Sequence, residues 1–385
     1  MWPSKPSIAT TRIGRTFLWL ASAILLSQHA LADCECGYST SVSNTTDTQQ
    51  QQQQSFVFTD LIEANFANVS DISKNTDWVR QEFNTSATQA RGTYGEMFAV
   101  DNVEAREGGD GLQITVRSDV VEGMLSGGEI DSARLDVFYG SFRSSLKLTD
   151  VGGTVSAFFW YFNDTQEIDM EFLSKDFRTE NSSYPVNLVL QSPAAAQAGF
   201  DASGTDSHKV VYLPFNPSAD FHEYRFDFVP GRVAFYADGA VLAVMDDPAA
   251  VPTTAGHLAL NQWSNGNALW SGGPPAEDAV MDVRYVKAYF NSSLKARQGD
   301  YAARCKDPAA AGAVCAIPAV TADNDSAAGY FFTGQKNMTD NQTVSSDNGV
   351  SGGDENGAIG RLGLQYFTWM WAAVSVLMTG CGVLL

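Results

Sequence analysis

The sequence predicts an all-β fold, an antiparallel two-sheet β-sandwich with few short helices. Short runs of alternating apolar and polar residues recur, rich in β-branched and aromatic side chains and bounded by Gly, Pro, Asn and Asp. Long stretches with helical periodicity are nearly absent. The pair Asp238-Gly239, between two apolar runs, is typical of a tight hairpin turn.

Eight of these runs are predicted strands within one central domain, residues 56–293. They span residues 112–118, 137–148, 154–162, 167–173, 186–192, 222–229, 232–238 and 281–290. The central region has the length of a single domain and shows no internal repeat.

The N-terminus predicts a secretory signal peptide over residues 1–32. Three basic residues (Lys5, Arg12 and Arg15) precede an apolar run, residues 17–26, and small residues follow before Asp33. The apolar run is too short to cross about 30 Å of hydrocarbon, which argues against a membrane anchor. We expect a mature start at Asp33.

The C-terminus predicts a lipid-anchored surface protein. Residues 362–385 form an uncharged apolar tail, preceded by small residues at 348–353 and a polar spacer up to Arg361. This order is typical of a glycosylphosphatidylinositol (GPI) attachment signal, with a transmembrane tail as the alternative.

The regions flanking the central domain have different compositions. Residues 33–55 include a run of six glutamines, Gln49 to Gln54, predicted to be a flexible connector. Residues 319–361 are predicted to be a glycosylated stalk. Nine glycosylation sequons support a secreted glycoprotein: Asn44, Asn68, Asn84, Asn163, Asn181, Asn291, Asn324, Asn337 and Asn341. The net charge of −20 argues against nucleic acid as a partner.

Four cysteines remain once Cys381 leaves with the tail: Cys34 and Cys36 before the domain, and Cys305 and Cys315 in the segment 294–318. In an oxidising compartment they would form two disulfides, with three possible connectivities. A Cys34–Cys36 ring would be strained, so pairing across the chain is favoured. A metal site is the weaker alternative, because no histidine lies near either pair, and no metal is predicted.

Candidate catalytic residues lie on one predicted strand. Because side chains alternate along a strand, Glu167, Asp169 and Glu171 share one face. Like charges so close together raise pKa values and cost stability, unless the strand face is simply solvated. Retaining cleavage of a glycosidic bond requires two carboxyl groups about 5–5.5 Å apart. The triplet therefore indicates a glycosidase.

Candidate substrate-binding residues lie around this strand. Trp160 on the preceding strand, and Trp263 and Trp270 in a Gly- and Asn-rich segment, are suited to stacking on sugar rings, although such rings can equally be core. Asn187 and Gln191 on the following strand are polar candidates.

Several motifs together resemble glycoside hydrolase family 16, whose members fold as a curved β-jelly roll of the concanavalin A type. The first is EIDMEF at 167–172, and YGSFRSSLKL precedes it. FHEYRFDFVPGRVAFYADG begins at 221, and NQWSNGNALWSGGPP and MDVRYVKAYFN follow. The likeness covers residues 56–291, with one departure at Phe228, where the family usually has Trp.

The resemblance implies roles for matching residues. Glu167 would be the nucleophile, Asp169 its helper and Glu171 the general acid/base. His222 matches the family histidine, for which packing or support from behind the site is as plausible as direct substrate contact. The regular E-x-D-x-E spacing lacks the extra residue of the laminarinase-like branch. It resembles lichenase-like enzymes, xyloglucan transglycosylases and fungal cell-wall chitin–glucan transglycosylases. No cofactor is implied, although relatives carry a structural calcium on the convex face.

The expected function is a monomeric, retaining glycosidase that acts on a β-linked glucan of a cell wall. Two alternatives stay open: a cell-wall transglycosylase using the same residues, and a non-catalytic lectin-like protein on the same fold. The expected location is the cell surface or cell wall, with membrane contact only through the C-terminal anchor.

Overall fold

A computed structural model describes residues 1, 33–47, 52–106, 110–200, 202–322 and 325–338. The predicted signal peptide beyond Met1 and the predicted C-terminal tail lie outside these residues. Within them, no helix has both the length and the apolar character needed to cross a membrane.

Two large, mainly antiparallel sheets account for most of the described chain, and strands are numbered in chain order. The ten-stranded sheet contains β4 (Trp78–Arg80), β5 (Phe83–Thr85), β6 (Gly95–Phe98), β9 (Val120–Val121), β10 (Met124–Ser132), β12 (Val155–Asn163), β13 (Gln166–Leu173), β14 (Pro185–Gln191), β15 (His208–Tyr212) and β19 (His257–Trp263). The eight-stranded sheet contains β3 (Asp60–Asn65), β7 (Val103–Ala105), β8 (Leu112–Val116), β11 (Val137–Lys147), β16 (His222–Val229), β17 (Arg232–Ala237), β18 (Ala240–Met245) and β20 (Ala279–Ser292).

The main core fills the space between the two sheets. Alternate residues of β13, such as Ile168 and Met170, meet alternate residues of β16, such as Phe226 and Phe228, and all four are fully buried. Burying such large apolar side chains is the main stabilising term of a sandwich. The all-β prediction is confirmed, as are the eight predicted strands and the Asp238-Gly239 turn, whose residues have positive φ values of 45° and 76°.

A third, small sheet lies beside the eight-stranded sheet. It contains β1 (Tyr38–Ser43), β2 (Gln53–Phe58) and β21 (Cys315–Ala316). Disulfides join Cys34 to Cys315 and Cys36 to Cys305, so the predicted pairing across the chain is confirmed.

Part of the predicted connector is a strand instead. Gln53 and Gln54 begin β2, where they pair with Ser43 and Val42 of β1. Strand β1 supplies hydrogen-bond partners for the backbone of these glutamines, which would otherwise bond to water. Strand pairing therefore orders a segment that its polar composition alone predicted to be flexible.

The start of the predicted stalk packs on the domain. Phe332 is 2% exposed, and the Lys287 ammonium donates to the carbonyls of Ala327 and Ala328 at 3.0 and 2.8 Å. The aromatic pair Phe331-Phe332 supplies apolar surface for this packing, although the segment around it is mainly polar. The predicted domain limits and the stalk beyond residue 338 stay predictions.

Helices are few and short among the described residues. The α-helices are α1 (Ala87–Ala90), α2 (Pro193–Gln197) and α3 (Lys295–Arg304). The 3₁₀ turns are Phe66–Asn68, Ile72–Lys74, Val100–Asn102, Ser174–Asp176, Thr179–Asn181, Ser326–Gly329 and Phe332–Gly334.

Candidate active site

Strand β13 presents its carboxylates on the face of the ten-stranded sheet that points away from the main core. Glu167, Asp169 and Glu171 alternate with the core residues Ile168, Met170 and Phe172. The register sets Glu171 between Ala157 of β12 and Asn187 of β14. We call this side of the sheet the open face; the three carboxylates form a row along it.

Burial dominates the electrostatics of the three carboxylates. It raises the pKa values of Glu167, Asp169 and Glu171, and their mutual repulsion raises those of Glu167 and Asp169 further. A hydrogen bond between Asp169 and Glu167 raises the pKa of Asp169 and offsets part of the rise in the pKa of Glu167, which burial brings to about 8. None of the three forms an ion pair within the described ranges.

Glu171 has polar and aromatic neighbours from two other segments. The Trp270 indole Nε1 donates to Glu171 Oε1 at 3.4 Å, and the Trp270 ring lies 6.1 Å from that of His208. His208 is hydrogen-bonded at 3.0 Å to Asn187, which pairs with Glu171 across the strands. The Glu171 end of the row is therefore lined by an indole, an imidazole and an amide.

A second acidic group lies across the open face on β10. The Asn261 side-chain amide donates to Glu129 Oε2 at 2.9 Å, and Asp131 lies 3.7 Å from His257 Nε2. Burial raises the pKa of Glu129 to about 7, and burial plus the Glu129 charge raises that of Asp131. Burial lowers the pKa of His257 to about 4, so its neutral ring gives Asp131 no counter-charge at neutral pH.

Three buried oxygens on this face have no protein partner in the described part of the chain. They are Gln191 Oε1 beside Glu167, Asp131 Oδ1 and Asn261 Oδ1. Buried acceptors without a donor cost stability, so they point to a hydroxyl-bearing ligand or ordered water. Between the two acidic groups, Ala157, Phe159 and Ala259 pack with Tyr161 to form an apolar floor.

The site combines carboxylates, buried oxygens that can accept hydrogen bonds from hydroxyl groups, and an aromatic surface. This combination suits a carbohydrate. The family model described as "Glycosyl hydrolases family 16" matches residues 91–287, just over half of the chain, and includes the entire β13 row. The chain belongs to glycosyl hydrolase family 16. It is a glycosidase.

Several known proteins are similar to this chain. A β-glucanase from Paenibacillus polymyxa is 30% identical over 222 residues, covering 54% of this chain and 84% of that one. A β-glucanase from Paenibacillus macerans is 34% identical over 142 residues, covering 35% of this chain and 52% of its own length. A β-glucanase structure from Bacillus licheniformis has a TM-score of 0.47 at 21% identity, over 60% of this chain and 97% of that chain.

The structure brings together most of the predicted site residues of this family 16 glycosidase. Asn187 and Gln191 flank the carboxylate row as its β14 neighbours, and Trp270 contacts Glu171. Trp263, the last residue of β19, is half-buried and falls on the open-face side by alternation with Asn261.

Two predicted residues lie elsewhere. Trp160 is fully buried in the main core, where its Nε1 donates to the Val137 carbonyl at 3.0 Å, because alternation turns it opposite to Phe159 and Tyr161. His222 lies in the eight-stranded sheet, stacked on Phe215 and 2.7 Å from an Asp238 carboxylate oxygen. Neither reaches the carboxylates, so substrate contact by Trp160 and a role for His222 behind the site were wrong. The packing role that the sequence left open for His222 agrees with its stacking on Phe215.

Sequence reasoning missed the residues of β10 and β15. Glu129 and Asp131 form an acidic pair two residues apart, the same spacing as in the β13 row, and that pattern was readable. His208, Asn261 and His257 carried no comparable local signal, because only the strand order brings them to the same face.

Proposed function

We propose that this enzyme cleaves a β-linked glucan with retention of configuration, by double displacement. The observation that carries the proposal is the β13 row, in which Glu167, Asp169 and Glu171 lie in order along one face of the sheet, opposite the core residues of the same strand. The relatives described as β-glucanases support a β-glucan as the substrate.

In the first step Glu167 attacks the anomeric carbon and the glycosidic C–O bond breaks. Glu171 gives its proton to the departing oxygen, and a glycosyl ester forms on Glu167. Burial raises the pKa of Glu171 to about 7, so this carboxyl keeps a proton to give at neutral pH. Burial also raises the pKa of Glu167, and the Asp169 hydrogen bond opposes that rise, so it favours the ionised form that attack requires.

In the second step Glu171, now a carboxylate, removes a proton from the incoming hydroxyl. That oxygen attacks the anomeric carbon from the face the leaving group vacated, the ester bond breaks and Glu167 is regenerated. Water as the acceptor gives hydrolysis, and a sugar hydroxyl gives transglycosylation.

The β10 group supports recognition of a neutral sugar. Glu129, Asp131 and Asn261 offer buried oxygen acceptors, whereas the floor between the two acidic groups is apolar. Sugar hydroxyls would donate to these acceptors while a ring face covers the floor. The raised pKa values of Glu129 and Asp131 fit this use, because hydroxyl groups recognise a carboxyl without requiring a full charge.

Transglycosylation is a second candidate, favoured by the edge strand β15. Val210 and Tyr212 are 48% and 64% exposed, and alternation with His208 sets both on the open face beyond Asn187. An exposed tyrosine beside the Glu171 end suits stacking of an acceptor sugar. Incubation with a glucan donor and a fluorescently labelled oligosaccharide distinguishes the two reactions, because only transfer lengthens the labelled product.

Azide rescue tests the assigned roles. With an activated aryl glycoside, Glu171→Ala plus azide should give a glycosyl azide of retained configuration, because azide then attacks the Glu167 ester. Glu167→Ala plus azide should give the inverted product, because azide then replaces the nucleophile. Retained product from Glu167→Ala would overturn the assignment.

The lectin-like alternative makes an opposite prediction. A lectin would bind glycan and release no product in any form, whereas the enzyme should cleave at least one member of a panel of β-1,3, β-1,4, mixed-linkage and chitin substrates. Absence of product with the entire panel would contradict the proposed function.

We also propose that the enzyme is secreted, glycosylated and held at the surface of its cell by a GPI anchor. The apolar ends and the sequons support this. Phosphatidylinositol-specific phospholipase C should release the enzyme from intact cells; retention after treatment would favour the transmembrane tail.

A further inference from the structure

Two loops from opposite edges of the ten-stranded sheet touch each other. One joins β5 to β6 and contains Arg91, and the other joins β14 to β15 and contains Gly199 and Phe200. Arg91 Nη1 donates to the Gly199 carbonyl at 3.3 Å, and the Arg91 guanidinium carbon lies 4.9 Å from the centre of the Phe200 ring. Five strands lie between β6 and β15 in the sheet order.

The contact lies on the open face. Ala195 and Ala202 of the second loop bury Val189, which alternation sets on the same face as Asp169. The positive charge of Arg91 lowers the pKa values of Glu96 and Glu171, which sets the guanidinium within electrostatic range of the acid/base end of the row. The loops therefore meet over the substrate groove near Glu171.

The first loop is firmly supported from below. The Asn265 amide donates to the Ala90 carbonyl at 2.7 Å, and the Asn267 amide donates to the Arg91 carbonyl at 3.1 Å. The second loop is held on the sheet by Ala195 and Ala202, but its tip is exposed, with Phe200 at 36%. Any opening motion would therefore belong mainly to the loop that carries Phe200.

Both contact residues have unusual backbone conformations. Arg91 has φ 57° and Phe200 has φ 65°, in the left-handed region that few non-glycine residues occupy. Arg91 is the C-cap of α1, and Phe200 follows the C-terminus of α2, where its N–H donates to the Ala195 carbonyl at 2.8 Å, so both conformations belong to helix ends. An exposed cation–π contact is strong enough to change an opening equilibrium only about two- to fivefold, so the closure is reversible.

We propose that the Arg91–Phe200 contact is a gate across the substrate groove that determines which part of a glucan enters. The inference rests on the proposed glycosidase activity and specifies its substrate. With the gate closed, chain ends and short oligosaccharides thread beneath it. An interior segment of a long chain enters only when the Phe200 loop lifts.

The test compares Phe200→Ala with wild type on soluble mixed-linkage β-glucan and on its short oligosaccharides. Removing the ring should raise the rate on polymer about two- to fivefold relative to the rate on oligosaccharides. It should also increase the loss of viscosity per reducing end formed, which reports cleavage inside the chain. Leu269→Ala is the matched control, since Leu269 is a neighbouring apolar side chain that is 87% exposed.

A second variant separates the gate from electrostatics. Arg91→Ala should raise the rate on polymer relative to the rate on oligosaccharides (the polymer ratio) as much as Phe200→Ala does. It should also move the pH profile of activity, because the guanidinium lowers the pKa of Glu171. Phe200→Ala should leave the profile in place. If the two residues act as one contact, the double variant should show the effect of either single variant.

The gate is overturned if folded Phe200→Ala and Arg91→Ala both leave the polymer ratio and the viscosity change at wild-type values. It is also overturned if the wild type reduces viscosity as fully per bond as the variants do. Failure of the proposed function gives a different result, no cleavage of either substrate by any form. In that case the gate is still tested by retention on a β-glucan affinity gel. Phe200→Ala should be retained more strongly than wild type, and equal retention would overturn the gate.

Discussion

Charged side chains are buried on two faces of this molecule, and their surroundings differ. On the outer side of the eight-stranded sheet, which we call the outer face, a cross-strand row joins Glu63, Lys287, Arg143 and Arg225. Each has partners: the Arg225 Nε donates to Asp227 at 2.8 Å, Arg143 to the Pro318 carbonyl at 2.6 Å, and Tyr289 donates to Glu63 at 2.7 Å.

The outer face is also covered. Thr40 and Ser41 of β1 accept hydrogen bonds from Arg225, and Thr333 donates to Glu63 through its backbone and its hydroxyl. The two disulfides fasten the segments that supply these partners. On the open face, by contrast, Glu167, Asp169 and Glu171 have raised pKa values and no ion pair among the described residues.

The difference separates structural charges from catalytic ones. Burying a charge is costly unless a partner offsets the lost hydration, and the outer face supplies partners for its charges. The open face leaves its carboxylates to repel each other, which stability alone would not favour. The proposed double displacement accounts for that arrangement, because it needs one ionised and one protonated carboxyl side by side.

The largest expected effect comes from neutralising a carboxylate on the open face. Glu171→Gln should lower kcat about 10²- to 10⁴-fold on an unactivated glucan, because the leaving oxygen loses its proton donor. Asp227→Asn on the outer face should keep kcat within about twofold, measured well below its melting temperature. Nearly full activity of Glu171→Gln would contradict the proposed catalytic role of the open-face carboxylates.

The outer face should respond in stability instead. Asp227→Asn removes the carboxylate that is hydrogen-bonded to the buried Arg225 guanidinium and leaves only the more weakly acting Glu223 charge on β16, so the free energy of unfolding should fall by about 3–5 kcal/mol. Urea denaturation measures it. The exposed Asp246→Asn, with the same chemical change, should stay within about 0.5 kcal/mol of wild type. Equal losses in the two variants would show that the pairing on the outer face contributes nothing.

A smaller effect should appear in the pH dependence of stability. Because burial raises the pKa of Glu167 above its unfolded value of about 4.3, the folded state holds this proton longer than the unfolded state does. The contribution of this proton to folding stability is complete at pH values below the unfolded pKa of about 4.3. It is lost as the pH rises through the raised pKa of the folded state. Glu167→Gln should therefore be about 1–2 kcal/mol more stable than wild type at pH 8 and nearly equal at pH 4. A variant less stable at pH 8 would contradict the desolvation argument.

The smallest expected effect concerns the alkaline limb of activity. The Trp270 indole lowers the pKa of Glu171, so Trp270→Phe should let this carboxyl keep its proton to higher pH. The high-pH limb of kcat/KM should move upward by about 0.5 pH unit or less, because the 3.4 Å contact is long. Trp263→Phe is the control and should leave that limb in place. A downward movement would show that Trp270 does not donate to Glu171.

The fold was largely predictable, because alternation and turn chemistry are local. EIDMEFL placed its acids opposite its apolar residues whatever the partner strands were, and Asp238-Gly239 specified a tight turn. Trp160 and His222 could not be placed in this way. A lone aromatic or imidazole side chain fits either side of a strand. Only the folded sheet decides whether that position faces the main core or the open face.

By itself the sequence determined that three carboxylates share a strand face, that four cysteines are paired across the chain, and that the domain is a β-sandwich. These depend on period-two alternation and on residue type, both of which act along the chain. Tertiary structure decided which groups face those carboxylates: Asn261 and Glu129 from β19 and β10, His208 from β15, and the Arg91–Phe200 contact. Strand order sets these neighbours, because residues far apart in the chain meet only through the register of the folded sheet.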